Sequence, residues 1–96
     1  MGSPRVHRTT GTSLEVLEAV TTIDGGTLSE LSDHTGLATS TLYTHLQTLV
    51  ESEYVVRRGD EYEPGLKQFH LGEQARHRDD RYTLAREAAT ELATRV

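Results

Sequence analysis

The side chains best suited to chemistry in this chain are uncharged hydrogen-bonding groups. They crowd into the stretch GLATSTLYTHLQTL, residues 36–49. Wound as a helix from about Thr39, this stretch sets Ser40, Thr41, Thr44, Gln47 and Thr48 opposite a stripe of Leu42, Leu46, Leu49 and Val50, with Tyr43 and His45 on the flanks. Serine and threonine hydroxyls donate and accept, a threonine methyl can touch a thymine methyl, and a glutamine amide can pair bidentately with adenine. That is the chemistry of reading base edges in the major groove of double-stranded DNA, with Thr39, Ser40, Thr41, Tyr43, Thr44, Gln47 and Thr48 as the contacts. Standing alone, the same row would serve as the solvated face of a threonine-rich protein.

The stretch holds neither Lys nor Arg, so other segments must hold the phosphates. Arg57 and Arg58 precede a Gly59-Asp60 turn, where a wing places cations on flanking backbone. Strand alternation turns one of the two outward, and Arg58, nearer the tip, is the better candidate; as a solvated strand end it would instead pair with Glu61 or Glu63. Arg5, His7 and Arg8 form a basic N-terminal arm. The positive ends of the second and third helices add fixed partial charge. His70, Glu73 and His77 could share one helical face, but they lack a fourth ligand and read as polar surface; no metal site is expected. No Cys nucleophile, Gly-rich phosphate loop or paired carboxylates in a plausible cleft are present, so neither catalysis nor a cofactor is implied.

The elements that must position these groups follow from periodicity and punctuation. Val16, Leu17, Val20 and Ile23 mark a first helix over 13–23, with Ser13 as N-cap and Asp24-Gly25-Gly26 as its stop. Thr27 and Glu30 form a capping box opening a second helix over about 28–35, and Gly36 suits the left-handed position after it. The third helix spans roughly 39–53. Two helices joined by a short Gly-containing turn make a helix-turn-helix. Residues 54–58 and 61–64 flank Gly59-Asp60 as a β-hairpin, a wing. Beyond Gly65 the pattern is helical again, and over 80–96 Ala85, Ala88, Ala89, Leu92 and Val96 share a face that needs a partner surface. The expected organisation is a flexible basic arm (1–12), a winged helix-turn-helix (13–65) and C-terminal linker or dimerisation helices (66–96). The fold class is mainly α with a small β-hairpin, and a homodimer formed through the last or the first helix is expected.

Composition bounds the function classes. The chain has 96 residues, no Cys and a net charge of −5, from 15 acids and 10 bases, of which Lys67 is the one lysine. Residues 14–53 carry Glu15, Glu18, Asp24, Glu30, Asp33, Glu51 and Glu53 without any Lys or Arg. An acidic, Lys-poor, Thr-rich chain fits a halophile's cytoplasm, where salt screens self-repulsion. No apolar run reaches the roughly 20 residues of a membrane span; a soluble cytoplasmic protein is expected.

The order of elements resembles the DNA-binding domain of the IclR family of transcription regulators over roughly residues 12–95. It is carried by LEVLEAV (14–20), LSELSDHTGLATSTLYTHLQTLVESEYV (28–55), YEPG (62–65) and Leu71-Gly72. Leu31, Gly36-Leu37, Ser40-Thr41, Leu46, Leu49 and Tyr54-Val55 stand where that family places core and groove-facing residues. Two departures concern affinity: Ala38-Thr39 replaces the family's Pro-Lys, and Thr44 stands where Arg is frequent. The resemblance implies a sequence-specific, operator-binding regulator, here of haloarchaeal composition. It also implies a C-terminal effector-sensing domain, so the chain reads as an excised DNA-binding domain or as a regulator without a sensor. The alternative is a winged-helix protein-interaction module that does not bind DNA.

Overall fold

The apolar stripe of the first helix decides where the next elements pack. In a computed structural model, which describes residues 5–78, helix α1 runs Arg8–Thr22 and buries Val16, Leu17, Ala19 and Val20. It begins at Arg8, not at Ser13, so residues 8–12, expected in the flexible arm, are its first turns. The Gly11 amide closes the first turn onto the His7 carbonyl at 3.0 Å. The Thr12 hydroxyl donates to the Arg8 carbonyl at 3.0 Å. Ser13 does not cap; its Oγ meets His45 Nδ1 at 2.7 Å, which ties α1 to the third helix.

Strand β1, Gly26–Thr27, follows, then α2, Leu28–Thr35. The Thr27–Glu30 capping box is complete, with Glu30 N–H donating to Thr27 Oγ1 at 3.2 Å and Thr27 N–H to Glu30 Oε1 at 3.0 Å. Gly36 ends α2 with φ of 78°, a left-handed conformation that strains any residue carrying a Cβ. The turn is tied on both sides: Ser32 Oγ donates to the Leu37 carbonyl at 2.7 Å, and Leu37 N–H to Thr35 Oγ1 at 3.1 Å.

Helix α3, Thr39–Glu51, buries Leu42, Leu46 and Leu49. It stops two residues before the expected end. There Glu53 takes a left-handed φ of 70°, and the Tyr54 and Glu53 amides return to the Leu49 and Val50 carbonyls at 2.9 and 3.0 Å. That bonding is a Schellman closure, normally built on glycine.

Strands β2, Val55–Arg58, and β3, Glu61–Pro64, form the expected wing, with Val55 opposite Pro64 and Arg58 opposite Glu61. β1 pairs antiparallel with β3, giving a three-stranded sheet of order β1-β3-β2; this third strand was not expected. Gly65 seats the return of the wing. A Cβ there would lie 2.6 Å from the Glu53 carbonyl oxygen, and its amide donates to the Tyr54 carbonyl at 2.8 Å. Val16, Val20, Leu31, Leu42, Leu46 and Val55 are fully buried, and Tyr62 closes the sheet side of the core. Each contributes about 1.5–3 kcal/mol relative to exposure.

These elements make up one compact unit ending at Leu66; a second begins at Lys67. In the second, α4, Lys67–Arg78, carries an Arg76–Glu73 ion pair at 2.9 Å. The amphipathic helix expected over 80–96 lies outside the described residues.

Candidate nucleic-acid interface

Because α3 turns Leu42, Leu46 and Leu49 inward, its other side chains are forced outward. Thr39, Ser40, Thr41, Tyr43, Thr44, Gln47 and Thr48 are all exposed. Their protons are partly committed. The Thr44 hydroxyl donates to the Thr41 carbonyl at 2.8 Å, leaving its oxygen lone pair and methyl for an outside partner. Gln47 Nε2 donates to the Tyr43 hydroxyl at 2.8 Å, joining two exposed side chains one turn apart into a unit. That unit still offers the Tyr43 proton, the second Gln47 N–H and the Gln47 carbonyl oxygen. It carries both signs of hydrogen bond and no charge.

The wing behaves differently. Arg57 lies opposite Tyr62 in the ladder, on the core side of the sheet; its guanidinium sits 5.6 Å from the Tyr62 ring centroid and Nε donates to the Gly59 carbonyl at 3.1 Å. Arg58 alternates to the other face with Val56. Its Nε meets Glu63 Oε1 at 2.9 Å, while the side chain stays 72% exposed. Of the two pairings open to a solvated strand end, the one with Glu63 forms. Both arginines are thus at the surface and both are engaged within the wing.

The two helix ends considered as phosphate holders differ. The α2 amide end is occupied by Thr27 and by the Glu30 carboxylate, whose charge repels an anion. α2 therefore makes a poor phosphate contact. α3 starts at Ala38, which forms no side-chain cap bond, and has no acid in its first turn. Its first amides have no intrahelical acceptor.

Arg5 and Arg8 are exposed at the start of α1, Arg5 outside the helix and Arg8 as its first residue. An open cleft between α1 and α3 is lined by Thr9, Thr10, Ser13, Thr44, His45 and Thr48, so the N-terminal half of α1 borders the exposed α3 row. Thr9 and Thr10, in the segment expected from the sequence to be an arm, line this cleft. On α4, His70 neighbours Gln74 at 3.4 Å and Glu73 pairs with Arg76. Among the described residues no group of three or more metal-ligating side chains comes together.

A capped helix, a glycine turn, a second helix with a neutral outward face and a β-wing define a winged helix-turn-helix domain. Residues 13–59 match the IclR helix-turn-helix domain, and the chain carries a domain of that family. It is 32% identical over 96 residues to the "Probable HTH-type transcriptional regulator ArcR" of Halobacterium salinarum, across 99% of this chain but 36% of that protein. The chain therefore spans about a third of this relative's length. Among solved structures, an IclR family transcriptional regulator from Brucella abortus superposes with a TM-score of 0.70 at 23% identity, covering 91% of this chain and 36% of the other. A transcriptional regulator from Alicyclobacillus acidocaldarius gives a TM-score of 0.72 at 22% identity, covering 82% and 33%. At these identities the structures establish the shared fold. No described helix is long and apolar enough to cross a membrane.

Proposed function

We propose that this chain binds double-stranded DNA sequence-specifically, as the reading module of a cytoplasmic transcription regulator. α3 enters the major groove with Ser40, Thr41, Tyr43, Thr44, Gln47 and Thr48 against base edges. Arg57 and Arg58 of the wing, Arg5 and Arg8, and the open amide end of α3 at Thr39 meet flanking phosphates. The module works as a homodimer, which sets two α3 helices against half-sites about one helical turn apart. It performs no catalysis.

The observation that carries this reading is the α3 face, which is exposed along its length, neutral, and equipped with donors and acceptors. A surface needed only for solubility in an acidic protein would carry its share of the carboxylates. On that face the acid is Glu51, in the last turn.

The test is titration of labelled upstream promoter fragments at high potassium chloride with the wild type, Thr44→Glu and Arg58→Ala. Binding by the wild type that both variants weaken supports the reading. If the wild type retains no genomic fragment at any salt, the reading fails, and a protein-interaction module takes its place.

A further inference from the structure

We infer that the cleft between the N-terminal half of α1 and the flank of α3 is a seat for one phosphodiester of the DNA backbone, held by neutral donors. The inference rests on the DNA-binding reading and adds a contact to it. Four threonines line the cleft, Thr9 and Thr10 from α1 and Thr44 and Thr48 from α3, together with the Ser13–His45 pair; the Thr44 and Thr48 hydroxyls donate to the Thr41 and Thr44 carbonyls at 2.8 and 3.5 Å, so the donors left are the Thr9 and Thr10 hydroxyls and the His45 ring. Among the described residues no carboxylate lines it. Two other grooves on the same unit are unsuited to an anion: one is lined by Glu15 and Glu18, the other by Glu30 and Asp33. The difference matters in a stretch, 14–53, that holds seven acids and no Lys or Arg.

The seat is continuous with the reading surface, since Thr44 and Thr48 belong to both. A helix lying in the major groove is bordered by the sugar-phosphate backbones on its flanks, and contacts to them fix register without reading sequence. Thr9 and Thr10 are on the wall that faces such a strand.

The Ser13–His45 bond shapes the chemistry. Nδ1 is occupied by Ser13 Oγ at 2.7 Å, so Nε2 is the ring nitrogen left for a ligand. When the serine donates, a neutral ring carries its proton on Nε2, which is then a donor toward a phosphate oxygen. A phosphate therefore selects the states in which Ser13 holds the ring and Nε2 offers hydrogen. Thr9 and Thr10 form no side-chain hydrogen bond among the described residues, so their hydroxyls are open to the same oxygens.

The experiment uses the full chain and a bound promoter fragment in which single phosphates are replaced, one at a time, by neutral methylphosphonates. In the wild type, replacement at one phosphate per half-site flanking the α3 contact should weaken binding about tenfold, the size of a lost charge-assisted hydrogen bond or two. In Thr9→Val, which removes one exposed hydroxyl and conserves volume, and in His45→Gln, the same replacement should weaken binding by about half as much on a logarithmic scale, about threefold, because part of the contact is already gone. Thr9→Val guards against a folding defect in His45→Gln. Salt plots of Thr9→Val should run parallel to the wild type, since a neutral donor displaces no counterion. If the wild type binds but no phosphate position couples to Thr9 or His45, the seat is overturned and the DNA-binding reading stands. If the wild type binds no DNA, both fall. Inorganic phosphate alone at millimolar concentration should leave the His45 ring resonances unmoved; saturable shifts would make the cleft a free-anion site and overturn its assignment to the backbone.

Discussion

The α3 face and the wing carry their polar groups on opposite plans. On α3, seven exposed residues from Thr39 to Thr48 offer hydrogen bonds without charge, and the internal bonds they make, Thr44 to Thr41 and Gln47 to Tyr43, orient the groups that remain. On the wing the charged groups are engaged with one another, Arg58 with Glu63 and Arg57 with the Gly59 carbonyl and the Tyr62 ring. An exposed ion pair contributes about 0–1 kcal/mol, so exchanging Glu63 for a phosphate requires little. Neutral hydrogen bonds are insensitive to ionic strength, whereas charge pairs weaken as salt rises. On the proposed reading, recognition sits on the part that salt spares, and the salt-sensitive cations are few.

Placing a charge on the neutral surface breaks this division most directly. Thr44→Glu puts a carboxylate on the exposed face proposed to meet DNA and removes no buried contact. Binding should fall by at least about 100-fold, through desolvation and repulsion of an unpaired charge, with the melting temperature within a few degrees of wild type. Retained affinity in a titration of the mutant would place the interface elsewhere.

The wing should respond through the salt dependence. With Arg5, Arg8, Arg57 and Arg58 as the contacts, the slope of log affinity on log salt should be no steeper than about 4 per subunit, at about 0.9 per phosphate. Arg58→Ala should lower it by about 0.9 and weaken binding near tenfold at moderate salt. Glu63→Gln releases Arg58 and should tighten binding a few-fold with the slope preserved. A Glu63→Gln variant that binds more weakly than wild type would mean the ion pair aims Arg58 and does not compete with DNA.

The Tyr43–Gln47 unit sharpens the neutral side of the comparison. Tyr43→Phe deletes one oxygen from a side chain 40% exposed. The Gln47 amide loses its anchor, so, if Gln47 reads a base as proposed, discrimination at that base pair should drop about three- to tenfold, within the 1–3 kcal/mol of a good bidentate contact. Affinity for the best site should change less. Selection of bound sequences with both proteins measures the ratio; equal preference at every position would remove Gln47 from base reading.

What could be read from the sequence followed the range of its causes. The capping box, the Gly36 turn and the Gly59-Asp60 hairpin are signals spanning at most four residues, and each forms as expected. The start of α1 was hidden because Arg8–Thr12 has no apolar period; the Ser13–His45 bond that ties the following turn to α3 joins residues 32 apart. β1 was hidden because two residues leave no alternation to see, and its partner Tyr62 is far along the chain. The exposed row of α3 could be listed from spacing alone. The engagement of Arg58 by Glu63, and not by Glu61, its partner in the strand register, needed the side-chain geometry.

The smallest expected effect lies at the joint between the two surfaces. Glu53 separates α3 from β2 and adopts φ of 70°, whereas the equivalent position after α2 is Gly36 at 78°. A left-handed residue with a Cβ is strained by about 1–2 kcal/mol. Glu53→Gly relieves that strain, while the added freedom of the unfolded chain takes back about 0.5–1 kcal/mol. The net gain should be about 0.5–1 kcal/mol, with Gly36→Ala losing about as much in the opposite direction. Thermal melts compare the two. The DNA titration is the sharper readout, because relief of strain at an already closed Schellman turn leaves both the α3 face and the Arg58 slope where they were. A change of slope in Glu53→Gly would mean that the left-handed glutamate sets the angle of the wing to the reading helix, and that the two surfaces are mounted as one.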